Sequence, residues 1–302
     1  MNIKQQLITP LVTLLKTFSG TEEIQVNVPD YSNVFGFYSP TGGTGVTTFV
    51  ANLGYVLASQ LKVAIVDFDL YHPALFRFLL DDSDDKTGLH PEADLVDKLI
   101  TSGANITSFG HTSKYNNITL FTGMPQDDII KFCELDYSNI VQCIKELSRL
   151  YDIVLVDFKG NLAQETVMAS IDACTRVFTF IRPLFSDVDS VHKDNDLLIR
   201  YGYGKKLTAI VQANIQKRYL PDSAFDDDDI VTVMRLPYVK SVEDTGESFD
   251  IFYATNAGSS KAGAAYAECC KFMAEYLCNY ERMIFEKGDE KLSLIHISEP
   301  TR

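Results

Sequence analysis

The sequence is short of positive charge and has no long apolar run. Its 302 residues contain 27 lysines and arginines against 41 aspartates and glutamates, which gives a formal net charge of −14. A surface this acidic repels phosphate backbones, so the composition disfavours nonspecific binding to DNA or RNA. Without a run of about 18 apolar residues, no transmembrane helix is predicted.

Cysteine motifs are also missing. None of the six cysteines forms a Cys-x-x-Cys pair, and none lies at zinc-site spacing from a histidine. We therefore predict reduced structural thiols in a cytoplasmic protein. Residues 1–20 lack the continuous apolar stretch and the cleavage site of a signal peptide, so secretion is not predicted.

The two ends of the chain are expected to lie outside the main domain. Apolar residues recur at helical spacing over residues 2–18 and predict an amphipathic helix that packs on the domain, with a polar linker to residue 32. The last eleven residues, 292–302, resemble the translation of a sequencing-library adapter and are excluded as an artefact. Residues 33–291 are the predicted single domain.

Within that domain, apolar strand-like runs alternate with helical patterns. The predicted strands are Val34–Tyr38, Val63–Val66, Ile118–Phe121, Ile153–Val156, Arg176–Ile181, Leu207–Gln212 and Ile230–Arg235. The predicted helices are Thr47–Gln60, Leu95–Ile100, Tyr137–Leu150 and Gly258–Phe285. This order predicts an α/β fold with a mostly parallel twisted sheet and helices on both faces.

A glycine-rich loop follows the first strand and opens a helix. It reads Ser39-Pro-Thr-Gly-Gly-Thr-Gly-Val-Thr-Thr48. In that context, backbone N–H groups and a helix N-terminus can face a phosphate. The predicted nucleotide contacts are Gly42, Gly43, Thr44, Gly45, Val46, Thr47 and Thr48. A tight strand-to-helix turn would look similar, and Val46 stands where a phosphate loop places its lysine.

Carboxylates follow two of the predicted strands. Asp67 and Asp69 end one strand, and Asp157 ends another. The carboxyl ends of strands in an open α/β sheet meet at the ligand crevice. We therefore predict Asp157 as an outer-shell Mg²⁺ group beside Thr47, and Asp67 or Asp69 as the catalytic residue that orients a water. A lone aspartate at a strand end is also typical of a turn or cap.

These motifs resemble the MinD/ParA family of ATPases. The family's loop, Lys-Gly-Gly-x-Gly-Lys-Ser/Thr-Thr before Ala-Asn-Leu, is similar to Thr41–Thr48 and Ala51–Leu53. The family's acidic strand ends are similar to Asp67–Asp69 and to Tyr151–Asp157. Further similar segments are Gly88-Leu89 through Leu99, Val211–Asn214, and Leu236–Tyr238 followed by Gly246.

The resemblance covers residues 33–285 in the family's order. It implies ATP and Mg²⁺ as ligands, Asn214 and Pro237 as nucleotide contacts, and a nucleotide-dependent homodimer. Two departures remove positive charge: Thr41 replaces the signature lysine that reaches a partner's nucleotide, and Val46 replaces the phosphate-loop lysine. A third places Lys159 where the family has proline.

Loss of the phosphate-loop lysine is similar to the CpaE/TadZ branch, so the resemblance implies an ATP-binding switch or positioning scaffold. It would serve a membrane-associated pilus or secretion machine from the cytoplasm, at the inner face of the membrane. Slow or absent hydrolysis is expected because charge stabilisation is a major source of phosphoryl-transfer catalysis. Lys159, Arg182 or Lys217 are the candidates to compensate. The alternatives are an active partition or division-site ATPase and a nucleotide-free interaction module.

Overall fold

A computed structural model describes residues 29–81, 89–90, 93–101, 105–124, 129–132, 134–216, 219–225, 229–247, 250–256 and 260–280. Three predictions lie outside these residues: the helix at 2–18, the adapter-like tail from 292 and the compensating Lys217. The domain boundaries stay a prediction.

Eight strands of the described chain form one sheet. They are β1 (Val34–Ser39), β2 (Val63–Asp67), β3 (His111–Thr112), β4 (Ile118–Thr122), β5 (Ile153–Lys159), β6 (Arg176–Ile181), β7 (Ala209–Ile215) and β8 (Val231–Pro237). Their order is β3-β4-β2-β5-β1-β6-β7-β8. The short edge pair β3–β4 is antiparallel, and the other pairs are parallel.

The predicted α/β fold with a mostly parallel sheet is therefore confirmed. The centre of the sheet is formed by the three strands that precede the glycine loop and the two acidic ends, in the order β2-β5-β1. Every residue of β1 and β2 is buried, which matches their uninterrupted apolar runs. The two-residue strand β3 was not predicted.

Helices cover both faces of the sheet. In the described chain they are α1 (Val46–Leu57), α2 (Leu75–Leu79), α3 (Leu95–Ile100), α4 (Ile129–Phe132), α5 (Tyr137–Leu150), α6 (Glu165–Ala173), α7 (Phe185–Arg200), α8 (Lys240–Glu247), α9 (Phe252–Asn256) and α10 (Lys261–Cys278). One core joins α1, α2, α9 and α10 to one face. A second core joins α3, α5, α6 and α7 to the other.

Helix α1 packs closely on the sheet and carries the glycine loop at its start. A Cβ on Gly54 would collide with the Cδ1 end of the Ile65 side chain on β2, so a larger residue here would force Ile65 to move. Asn52, which is fully buried, donates from Nδ2 to the Thr48 carbonyl at 2.8 Å and accepts from the Tyr253 backbone N–H at 2.8 Å. The asparagine thereby ties α1 to α9 and fixes the direction in which the loop opens.

Candidate nucleotide site

The glycine loop leaves its backbone open. Gly43 and Gly45 adopt left-handed backbone conformations with φ of +76° and +81°, which L side chains rarely adopt. A Cβ added to Gly42 or Gly43 would meet nothing within 4 Å. A ligand could therefore approach the main chain directly at these two residues.

The start of α1 offers unpaired donors to this opening. The first N–H groups of an α-helix have no acceptor within the helix. Gly45 precedes the helix, no described side chain caps it, and the first turn contains no acidic residue. The partial positive charge of the helix start is thus left for an external anion.

The predicted nucleotide contacts divide between this opening and the core. Thr44 is buried, and Thr47 and Thr48 are half-buried. The side chain of Val46 is 6% exposed and belongs to the core cluster that contains Phe49. Val46 can therefore offer its backbone N–H to the loop, while its side chain stabilises the start of α1 against the sheet.

Asp67 and Asp157 lie side by side at the carboxyl edge of the sheet, as register partners on β2 and β5. The side chain of Thr47 hydrogen-bonds to Asp157, which joins this edge to the glycine loop. Burial and the charge of Asp67 raise the pKa of Asp157 well above its ordinary value. Its Oδ2 is buried and accepts no hydrogen bond from any described residue.

Asp67 is occupied by the backbone. Its Oδ2 accepts the N–H groups of Ala74 at 2.9 Å and Leu75 at 3.0 Å, and its Oδ1 accepts that of Asp69 at 3.1 Å. Burial raises its pKa to about 6, although these hydrogen bonds lower it. Asp67 thus fixes the turn into α2, and its predicted catalytic role stays a prediction.

Asp69 pairs with a lysine. Its carboxylate forms an ion pair with the Nζ of Lys159, at the end of β5. Lys159 is the register partner of Ser39, where the glycine loop begins. The predicted catalytic Asp69 and the cation that replaces the family's proline therefore lie at the same edge as Asp157.

Asn214 reaches the loop from β7. It adopts a left-handed backbone conformation with φ of +57°, and its Nδ2 donates to the Gly43 carbonyl at 3.1 Å. Pro237 ends β8 as the register partner of Ile215, and the Tyr238 N–H donates to the Ile215 carbonyl at 2.9 Å. The two predicted nucleotide contacts therefore lie on adjacent strand ends, and Asn214 borders the glycine loop.

A buried carboxylate holds the other side of the loop. Asp187, in the first turn of α7, accepts the Thr41 hydroxyl at 3.2 Å. Arg182 donates to it from Nε at 3.0 Å, from Nη2 at 2.9 Å and from its backbone N–H at 3.0 Å. Burial acts to raise the pKa of Asp187, but the hydrogen bonds from Arg182 outweigh it and hold the pKa below its ordinary value.

The residues present fit a nucleotide-bound Mg²⁺ rather than a metal held by protein alone. Within the described chain, no three His, Cys, Asp or Glu side chains are grouped to hold a metal. Mg²⁺ in nucleotide sites is typically bound by one or two protein oxygens together with substrate phosphates. Thr47 and Asp157, with its unpaired buried oxygen, are the residues that fit this role.

A comparison with protein-family models finds no match. Among curated proteins, the chain is similar to an uncharacterized ATP-binding protein of Methanocaldococcus jannaschii, with 25% identity over 213 residues. The matched region covers 69% of this chain and 74% of the relative.

Solved structures give the fold. The cell division ATPase MinD of Pyrococcus furiosus superposes with a TM-score of 0.65 at 21% identity, over 81% of this chain and 99% of MinD. MinD of Pyrococcus horikoshii, complexed with Mg-ADP, superposes with a TM-score of 0.65 at 21% identity, over 80% of this chain and 95% of that MinD. A ParA family ATPase of Chlorobium tepidum superposes with a TM-score of 0.63 at 15% identity, over 82% of this chain and 98% of the ATPase. The chain has the MinD/ParA fold of the P-loop ATPases.

Within this MinD/ParA fold, sequence reasoning missed the residues that support the site from a distance. Asp187 is 146 positions from Thr41, and nothing in the sequence pattern links them. Tyr38, at the end of β1, hydrogen-bonds through its hydroxyl with the Gly160 carbonyl at 2.9 Å and with Asp194 Oδ2 at 3.0 Å. These contacts hold the loop after β5 and helix α7 close to the start of the glycine loop.

Proposed function

We propose that the protein binds Mg²⁺-ATP at the glycine loop and acts as a nucleotide-dependent switch or positioning scaffold with weak or absent hydrolysis. The observation that carries the proposal is the open backbone of Gly42 and Gly43, in a lysine-free loop that Thr47 joins to Asp157 and its unpaired Oδ2. A phosphate would meet backbone N–H groups and the start of α1. Mg²⁺ would supply charge neutralisation of the phosphates, held by Thr47 and Asp157.

Two relatives support the choice of ligand. The relative from Methanocaldococcus jannaschii is described as ATP-binding, and MinD of Pyrococcus horikoshii was solved with Mg-ADP. In this chain, Asn214 and Pro237 would contact the adenine base of the nucleotide, since Asn214 already borders the loop through Gly43.

Weak hydrolysis follows from the charge of the site. Thr41 and Val46 supply no cation to the phosphates, and the nearby Asp67, Asp69 and Asp157 are acidic. Phosphoryl transfer depends on stabilising charge that develops in the transition state. A loop whose own side chains bring no cation to the phosphates gives less of that stabilisation than a loop with lysines.

The cellular role is proposed from the resemblance to the CpaE/TadZ branch. The protein would form a homodimer with ATP and recruit a partner of a membrane-associated pilus or secretion machine, from the cytoplasmic side. In the described chain, no helix has both the length and the apolar character needed to cross a membrane. A peripheral position at the inner face of the membrane is part of the same proposal.

Thermal melting with and without Mg²⁺-ATP tests the binding step. Because a ligand that binds only the folded state stabilises it, millimolar Mg²⁺-ATP should raise the melting temperature, and EDTA should reduce the shift. No shift at any nucleotide concentration would favour the nucleotide-free interaction module.

Steady-state phosphate release tests the second half of the proposal. The release rate should stay near the level without enzyme at saturating Mg²⁺-ATP. Sustained turnover would instead favour an active partition or division-site ATPase, which the MinD/ParA fold equally accommodates.

A further inference from the structure

We propose that Lys159 supplies the phosphate-binding cation that the glycine loop lacks. This inference rests on the proposed function, because it assigns a phosphate contact within the same nucleotide site. Nucleotide phosphates carry up to four negative charges, and the loop positions that hold lysine in the resembled family are Thr41 and Val46 here. Neither residue carries a positive charge, and the Val46 side chain is buried in the core. A cation for the phosphates must therefore come from outside the loop.

The register of β5 directs Lys159 to the correct side of the sheet. Successive side chains of a strand point to opposite faces. Ile153 and Leu155 of β5 pack in the core that contains α1, so Asp157 and Lys159 lie on that same face. Lys159 is also level with Ser39, the first residue of the glycine loop, and the Gly160 N–H donates to the Ser39 carbonyl at 3.4 Å.

The distance also suits a lysine. Two residues of a strand span roughly 7 Å, so Lys159 lies one such step beyond Asp157, on the side where the strand ends meet the ligand crevice. Its side chain is 46% exposed, and the ammonium group is a compact charge on a flexible stem. It can therefore turn from Asp69 toward a phosphate that lies beside Thr47 and Asp157.

The ion pair with Asp69 explains how the lysine is held without nucleotide. The Asp69 side chain is mostly buried, and the acidic edge that it shares with Asp67 and Asp157 would repel phosphate. Lys159 offsets that repulsion, and its charge lowers the pKa of Asp157 against the larger effect of burial. A bound phosphate would compete with Asp69 for the same ammonium group.

Arg182 is less available for this role. Its guanidinium makes a two-point contact with Asp187, which is 1% exposed, on the other side of β1. Pulling Arg182 away would leave that buried carboxylate with much weaker compensation, which is costly in a protein interior. Lys159, by contrast, would break only its ion pair with Asp69, at the edge of the site.

Calorimetric titration with Mg²⁺-ATP tests the proposal in the full-length protein. Lys159→Gln should weaken binding about tenfold to hundredfold, the effect of losing one charge-assisted hydrogen bond. The matched control is Lys271→Gln, because Lys271 is 48% exposed, pairs with Glu268 on α10 and carries the same charge. The control should bind like wild type.

A double variant separates phosphate contact from simple neutralisation of Asp69. Lys159→Gln combined with Asp69→Asn keeps the net charge of wild type. It also leaves no Asp69 carboxylate without its partner, which could destabilise the single variant. If Lys159 contacts phosphate, the double variant binds Mg²⁺-ATP as weakly as the Lys159→Gln single variant. Wild-type affinity in the double variant, or in a folded Lys159→Gln single variant, would overturn the proposal while leaving the nucleotide site intact. Absence of binding by wild type would instead remove the proposed function, and the lysine role with it.

Discussion

At the scale of single residues, the candidate site is held in an electrostatically unfavourable state. Asp67 and Asp157 are buried neighbours, and burial raises the pKa of both carboxyls. The folded state therefore binds more protons than the unfolded state, and stability falls as the pH rises through the raised pKa values. Strain of this kind is typical of sites that are completed by a ligand or a cation.

Asp157→Asn should stabilise the protein at neutral pH. The substitution removes the repulsion with Asp67 and should raise the free energy of unfolding by about 0.5–2 kcal/mol at pH 7. The gain should shrink as the pH falls below about 6 and Asp67 becomes protonated, because the repulsion is then lost in wild type as well. Urea unfolding at pH 7 and pH 5 measures both effects, and the same variant should lose the Mg²⁺-dependent part of its nucleotide binding.

Val46→Lys should destabilise the fold. The side chain of Val46 is buried in the core, and an unpaired ammonium group there costs free energy on the order of 1–3 kcal/mol. Thermal melting of the variant beside Val46→Ile, which keeps an apolar side chain, measures the cost. Unchanged stability with tighter ATP binding would mean that position 46 faces the phosphates, as in a standard phosphate loop.

At the scale of elements, the site depends on how α1 is clamped against its neighbours. Asn52 links the Thr48 carbonyl of α1 to the Tyr253 N–H of α9 inside the core. Asn214 links β7 to the loop, and Asp187 links α7 to Thr41. The glycine loop is thus positioned by three elements that are distant in sequence.

Asn52→Ala should cost about 1–3 kcal/mol of folding free energy, because it removes a fully buried amide together with its hydrogen bonds to the Thr48 carbonyl and the Tyr253 N–H. Asn279→Ala is the matched control, since the Asn279 Nδ2 donates to the Glu275 carbonyl at an exposed position. The control should change stability by less than about 0.5 kcal/mol. Chemical denaturation of both variants checks the difference, and equal effects would contradict the clamp.

The sequence predicted the elements whose pattern is local. Strands β1, β2 and β5 are apolar runs buried on both faces, and each is followed by glycines or carboxylates that the sheet brings to one edge. Helix α7 was not predicted. Its buried residues recur at helical spacing, but two of them, Asp187 and Asn195, are polar and interrupt the apolar stripe. The contact of Asp187 with Thr41 and the burial of Val46 both depend on tertiary packing, so no local sequence pattern indicates them.

At the scale of the whole molecule, the acidic chain has a MinD/ParA fold with one polar edge that joins the glycine loop, the acidic strand ends and Asn214. The exposed Leu184 and Phe185 lie between Arg182 and Asp187 in sequence, where β6 leads into α7. This apolar pair adjoins the loop through the contact of Asp187 with Thr41.

Light scattering should show that Mg²⁺-ATP shifts the protein from about 33.8 kDa toward twice that mass. The proposed switch requires this, because a nucleotide can shift an equilibrium only by binding one state better than the other. Mg²⁺-ADP is the control and should shift the mass less. An unchanged mass in the presence of bound ATP would restrict the protein to a monomeric scaffold.

A crystal structure with Mg²⁺ and a non-hydrolysable ATP analogue would show whether nucleotide binds at the glycine loop. We expect the phosphates against the backbone of Gly42–Gly45 and the first turn of α1, the metal beside Thr47 and Asp157, and the adenine base near Asn214. A nucleotide bound elsewhere, or a loop that keeps Asp157 Oδ2 buried and unpaired at saturating analogue, would contradict it.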